Sequence, residues 1–456
     1  MDLDLQCQEL VGTKWKELIP SLNQYKTIRL DDCSLVASNC EDLASVLKTN
    51  QTLTELKLNN NELQDAGVDL LCKGLLNSSC KLQKLWLRNC NLTKGCCKSL
   101  RVLLSGKPGL TELQLNDNNL GSAGAKELCQ GLLDPSCQLE SLHMDFCEVS
   151  AEAVEMLSNV LRTKPSLKEV NLSNNKFEDT GVASLFQSML DPNCNLRSLH
   201  LENCGFTEAA CEKLSAVLSA KPCLTELYIG ENKIGNAGIA LLCRGVLEPS
   251  CKIEKLSLWE CNISAAGCKE LSNVISTKET LRELNLIGNE IKDEGMDIIC
   301  QGLKSPNTKL ESLWARECGL TSACCQSISS ALAVNGTLKE LHIGSNKLRD
   351  EGVIQLCEGV MSPTCKLRSL WLGLSGLTSA CCGTLAQVMV GKPCLEELDV
   401  SYSQIEDEGA RILCEAVKNP NCHLKYLMLY DTYWSSEVDD ELNALEELKP
   451  GFKLIT

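Results

Sequence analysis

One nine-residue segment constrains this chain more than any other feature. Leu53-Thr-Glu-Leu-Lys-Leu-Asn-Asn-Asn61 places leucines at its first, fourth and sixth positions and an asparagine at its ninth. The same pattern recurs with its last residue at Cys33, Asn61, Cys90, Asn118, Cys147, Asn175, Cys204, Asn232, Cys261, Asn289, Cys318, Asn346, Ser375, Ser403 and Thr432. Spacings alternate between 28 and 29 residues without insertion or deletion. Each period holds a short stretch of alternating apolar residues, a turn, and a helical pattern such as Ala66 to Leu76, which is too little to bury its own apolar face. Stacked neighbours bury it. At 456 residues the chain exceeds what one globular core usually holds, whereas a stacked array extends its core without limit.

The segment is the leucine-rich-repeat pattern L-x-x-L-x-L-x-x-N/C. It predicts an α/β solenoid, a horseshoe with a parallel β-sheet on the concave face and helices on the convex face. The expected organisation is an N-terminal cap over 1–24, with Trp15 in a helical pattern, fifteen repeats over 25–434 and a C-terminal cap over 435–456.

Repeat position also decides how the 30 cysteines are read. Six occupy the turn position, and six more lie seven residues later, at Cys40, Cys97, Cys211, Cys268, Cys325 and Cys382. In the alternate repeats, cysteines fall eleven residues after the turn (Cys72 and its equivalents) and nineteen after it (Cys80 and its equivalents). A small, weakly hydrogen-bonding thiol packs well at such sites. No pair of Cys-x-x-Cys motifs occurs, so no metal site is expected. The adjacent pairs Cys96-Cys97, Cys324-Cys325 and Cys381-Cys382 are the expected redox-sensitive points, because joining neighbours would strain a tightly packed array. The plainer reading of these pairs is as small residues on a helix face.

A net charge of −16 disfavours nucleic acid and anionic membranes as partners and favours a cationic one. Met1 to Gln24 has neither the basic start nor the apolar run of a signal peptide, and no stretch of the chain is apolar enough to span a bilayer. A cytoplasmic protein with reduced thiols is therefore expected. Catalytic motifs are missing, and Ser105-Gly-Lys-Pro108 puts proline where a phosphate loop needs a hydroxyl. The expectation is a binding protein with neither catalytic nor cofactor residues.

The strand position between the second and third leucines points away from the core by period-two alternation. Three of the six tryptophans (Trp86, Trp314, Trp371) and three of the four histidines (His143, His200, His342) occupy it. Trp259 and Tyr430 lie two residues further along their strands, and Asp431, Tyr433 and Trp434 follow in the last repeat. Aromatics on a solvent-facing row are the usual anchors of protein interfaces, although some will only cover neighbouring strands. Acidic residues join the strip at Asp31, Asp32, Asp145, Glu202, Glu231, Glu260, Glu283, Glu317, Glu397, Asp399 and Asp431, which suits a basic ligand. His143 and His200, two repeats apart, form no expected acid–base pair.

Alternating 28- and 29-residue cysteine-rich repeats, together with the ending Leu429-Tyr-Asp-Thr-Tyr-Trp434, Glu437-Val and Leu445-Glu-Glu, resemble the cytosolic ribonuclease inhibitors over the whole chain. The repeat type alone is shared with the sensor regions of innate immune receptors, so the terminal motif makes the resemblance specific. It implies a one-to-one complex of a monomeric inhibitor with basic secreted pancreatic-type ribonucleases, angiogenin included, in which the enzyme's active-site cleft is covered. By the same resemblance Tyr430, Asp431 and Tyr433 form the principal anchoring cluster, Asp431 facing a catalytic lysine. Trp259 and Trp314 are aromatic contacts, Glu202 and Glu397 acidic ones, and the carboxylate of Thr456 a terminal one. Arg316 stands where a lysine is usual, and Ser257 where a tryptophan is expected. The alternative is a non-inhibitory leucine-rich-repeat sensor or scaffold; catalysis in the cavity ranks third.

Overall fold

The computed structural model describes residues 1–456, which divide into two compact units, Met1–Ile229 and Gly230–Thr456. The first unit holds nine strands and the second eight, each three residues long. Within each unit every strand pairs in parallel with the next. In the first unit Leu56 faces Leu85 and Leu85 faces Leu113; in the second Leu284 faces Leu313 and Leu313 faces Leu341. Apart from the shorter helices at the two ends, helices of 10 to 13 residues run between the strands, such as Gln64–Leu75 and Lys292–Leu303. This is the leucine-rich-repeat α/β solenoid that the sequence period predicts.

The core follows directly from the consensus. Leu56, Leu58 and Leu63 are fully buried, and the helix Gln64–Leu75 buries Val68, Leu71, Cys72 and Leu75 on one stripe against them. Helices of neighbouring repeats approach closely enough to exclude side chains at some positions. A Cβ on Gly359 would stand 2.1 Å from the carbonyl oxygen of Ser329, so only glycine lets those two helices meet.

The turns are closed by side chains that cross between repeats. The Asn118 Oδ1 accepts hydrogen bonds from the backbone of Cys90 and Leu92 in the preceding repeat, both at 3.0 Å. Its Nδ2 donates to the carbonyls of Leu87 and Leu115, both at 2.9 Å. The Cys90 thiol reaches back in the same direction, donating to the Leu58 carbonyl of the repeat before it at 3.2 Å. Within each unit, alternating Asn and Cys thus form a buried polar ladder that ties each turn to the repeat before it. Ser375 interrupts the ladder: its hydroxyl donates only to the Gly373 carbonyl of its own repeat, at 3.5 Å, although its backbone carbonyl still accepts from the Arg349 N–H at 2.8 Å.

Both ends add a strand that the period does not announce. Asp2–Asp4 pairs with Thr27–Arg29, and Lys453–Ile455 pairs with Tyr426–Met428. Trp15 lies buried in the short helix Thr13–Leu18 and donates its indole N–H to Asp42 at 2.8 Å. At the other end Ser435 caps the helix Ser436–Asn443, while its own N–H bonds the Asp407 carboxylate at 2.6 Å.

Candidate partner-binding surface

The strand row expected to face outward is half-buried along most of its length, because its side chains lie against one another. In the first unit it forms a nearly self-satisfied polar chain. Arg29 pairs with Asp31 at 2.7 Å, the Lys57 ammonium sits 4.3 Å above the Trp86 ring, and Trp86 donates to Glu112 at 3.1 Å. His143 and His200 come within 3.6 and 3.7 Å of the same Glu169 oxygen. The intervening strand therefore links two histidines that the sequence leaves unrelated. His200 also stacks on Tyr228 at 4.2 Å, and burial together with repulsion from His143 lowers its pKa to about 4. Glu202, the one expected contact in this unit, is half-buried just beyond its strand, its N–H bonded to the Ser173 hydroxyl at 2.9 Å.

The second unit carries the aromatic part. Trp314 stacks on His342 at 3.9 Å with planes 14° apart, and Trp371 closes on the other side of His342 at 4.5 Å. His342 is left 3% exposed, with neither ring nitrogen hydrogen-bonded. Burial lowers its pKa to about 4 despite the Glu340 carboxylate 3.6 Å away, since desolvation outweighs that attraction. The Trp314 N–H is spent on Ser312 at 2.9 Å, whereas the buried Trp371 N–H has no partner. Trp259 lies so close to Gly230 that a Cβ there would be 2.2 Å from the indole nitrogen. Arg316 reaches the Ser345 hydroxyl at 3.3 Å, and Glu397 accepts from Ser369 at 3.1 Å. Ser257 is buried and offers no ring.

Around the last repeat the surface opens. Tyr430 is 47% and Tyr433 76% exposed, and the Tyr433 hydroxyl donates to the Asp431 carboxylate, which raises its own pKa. The N–H of Leu429 bonds the carbonyl of Ile455 at 2.7 Å, which draws Thr456 alongside Tyr430 and Asp431. Trp434 turns instead toward the terminal helix, with its N–H 3.0 Å from Asp439. Tyr430, Asp431 and Tyr433 thus lie together, with Thr456 at the end of the strand paired to theirs, and Trp314 and Trp371 meet at His342. Trp259, Arg316 and Glu397 are spread along the same unit.

The adjacent cysteines lie away from both spots. All six are buried at the start of helices, and the Cys96, Cys324 and Cys381 thiols donate to the carbonyls of Thr93, Thr321 and Thr378 at 3.3 to 3.4 Å. The neighbouring thiol and burial push the pKa of each of those three up. No group of three or more His, Cys, Asp or Glu side chains is arranged to hold a metal ion.

Over all 456 residues, end to end, the chain is 47% identical to a protein named ribonuclease inhibitor from mouse (Mus musculus). The chain belongs to the ribonuclease-inhibitor family. A second ribonuclease inhibitor, from pig (Sus scrofa), is 46% identical over the same full span of both chains. The profile described as the capping ribonuclease inhibitor leucine-rich repeat matches residues 1–30, and a leucine-rich-repeat profile matches seven further segments from 49–72 to 391–414. Human NACHT, LRR and PYD domains-containing protein 12 is more distant, at 38% identity over 81% of this chain but only 34% of its own length. Among solved structures, one from the yeast Rad7 and Elc1 complex shares the fold, with a TM-score of 0.52 at 20% identity over 97% of this chain and 94% of that one. Full-length coverage of the ribonuclease inhibitors sets them apart from the NACHT-containing relatives.

Proposed function

We propose that the chain binds pancreatic-type ribonucleases, angiogenin among them, as a one-to-one inhibitor that covers the enzyme's active-site cleft, and that it is a cytoplasmic monomer when free. End-to-end identity of 46–47% to two ribonuclease inhibitors carries this reading. Its anchoring cluster is Tyr430, Asp431 and Tyr433 with the Thr456 carboxylate; Trp259, Trp314, Trp371 and Trp434 contribute aromatic surface. Glu202, Glu397 and Arg316 contribute charge. The net charge of −16 suits a basic ligand and speeds encounter, while the exposed tyrosines slow dissociation. The relatives are named as inhibitors, and the chain is read here as acting without catalysis of its own. Thirty cysteines at largely buried, repeat-locked positions suit a reducing compartment, and no helix is long and apolar enough to cross a membrane.

A titration of a basic pancreatic-type ribonuclease with the reduced protein, following RNA cleavage at two salt concentrations, tests this reading. Activity should vanish at one inhibitor per enzyme, with slower onset at high salt. An unaffected ribonuclease would leave a sensor or scaffold, the reading favoured by likeness to the NACHT-containing protein.

A further inference from the structure

In all fifteen repeats the residue just before the turn position has a left-handed backbone, with φ between 46° and 76°. Asn, Asp, Gly or Ser fills nine of these sites, as suits that conformation, and Glu, whose charged end stays in water, fills three. Phe146, Leu374 and Tyr402 are the exceptions. A large side chain there is strained, and the strain gains the fold nothing: Leu374 is 55% and Tyr402 53% exposed. Phe146 stands alone in the first unit, whereas Leu374 and Tyr402 occupy successive rungs of the second. Leu370 faces Leu398 and Leu398 faces Leu427, so residues 374, 402 and 431 lie in one row, rungs about 4.8 Å apart. Backbone bonds from Leu374 to Ser401 at 2.9 Å and from Tyr402 to Tyr430 at 2.8 Å hold that row directly against the Tyr430–Asp431 cluster.

We propose that Leu374 and Tyr402 are further partner-contacting residues, which extend the Tyr430–Asp431–Tyr433 cluster by an apolar shelf that grips the bound ribonuclease. This rests on the ribonuclease reading and deepens it. Continuity with the acidic cluster suits an enzyme side chain with an aliphatic stem and a cationic head, the stem on the Leu374 and Tyr402 surfaces and the charge toward Asp431. Strain at exposed positions, uncompensated within the free chain, is the mark of side chains retained for a partner.

The two roles of such residues make predictions of opposite sign. Leu374→Asn and Tyr402→Asn together should raise the thermal midpoint of the free protein by roughly 1 to 2 °C, because asparagine accepts the left-handed backbone. The same double variant should bind pancreatic ribonuclease roughly tenfold more weakly, mainly through faster dissociation, while Tyr402→Phe, which keeps the ring, binds as the parent does. Unchanged ribonuclease binding by the double variant, with the parent binding normally, overturns the assignment alone. A lowered midpoint overturns it too, since the side chains would then be holding the fold. Self-association of the parent that the variant abolishes, with ribonuclease binding intact, gives the shelf to a second copy. A parent that binds no ribonuclease overturns the inhibitor reading and this assignment with it.

Discussion

The Tyr433 hydroxyl donates to the Asp431 carboxylate two residues before it, and the left-handed backbone of Asp431 turns both side chains to the outside. The pair is exposed in the free chain, so its hydrogen bond contributes little to folding. What it does is hold one carboxylate in a fixed position beside Tyr430.

Asp431→Ala should therefore weaken ribonuclease binding by about 2 to 5 kcal/mol, if the carboxylate becomes desolvated against a cation in the complex, and lower the thermal midpoint of the free protein only slightly, through alanine's poorer fit to the left-handed backbone at 431. Tyr433→Phe removes only the positioning bond and should cost roughly 1 kcal/mol. Dissociation rates and melting curves measured together on both variants check this, and an Asp431→Ala complex as tight as the parent's rejects Asp431 as an anchor.

His342 supplies a pH dependence of stability. Its folded pKa of about 4 lies below the ordinary 6.5, so the unfolded chain binds a proton first. Stability is fully present above pH 6.5, falls as the pH drops toward 4, and levels off once the folded state also protonates. The loss from His342 should reach roughly 3 kcal/mol at most, with His200 adding a similar slope over the same window. Urea unfolding between pH 7 and 4 measures it. His342→Phe should flatten its share while keeping stability at neutral pH, because no hydrogen bond of the imidazole is lost.

Asn118→Ala should destabilise the first unit by roughly 3 kcal/mol, since it strands the buried backbone groups that one side chain satisfies in two repeats. Ser375→Ala should cost less than about 1 kcal/mol, since the hydroxyl it removes makes only the long bond to Gly373. Thermal unfolding of the two variants compares ladder and gap directly; equal losses would mean that the ladder is not what closes the turns.

Thiol reactivity should follow burial. Cys7 is the single exposed cysteine and should react first with a maleimide, whereas Cys96, Cys97, Cys324, Cys325, Cys381 and Cys382 should stay protected until the array opens. Once an oxidant has joined any of these adjacent pairs, we expect ribonuclease binding to be lost, because the backbone at a helix start must distort to accommodate the bond. Peptide mapping of the oxidised protein alongside activity titration reads both events, and full inhibition by protein with all three pairs joined would show them to be only packing residues.

The repeat pattern by itself determined the fold class, the strands at each leucine segment, the buried helix stripes and the repeat-locked cysteines. Each of these depends on side chains within one period and its immediate neighbour, and a strict period carries that information in the linear order. It also placed Tyr430, Asp431 and Tyr433 together, because they are adjacent in the chain. Tertiary structure alone decided which groups meet across repeats: Glu169 between His143 and His200, His342 closed between Trp314 and Trp371, Asn118 serving the turn of Cys90, and Thr456 drawn alongside Tyr430 by a terminal strand. It also turned an outward-facing row into a half-buried one. Alternation says which way a side chain leaves the strand, but stacking rungs about 4.8 Å apart decides whether it then lies on its neighbour or stands in water.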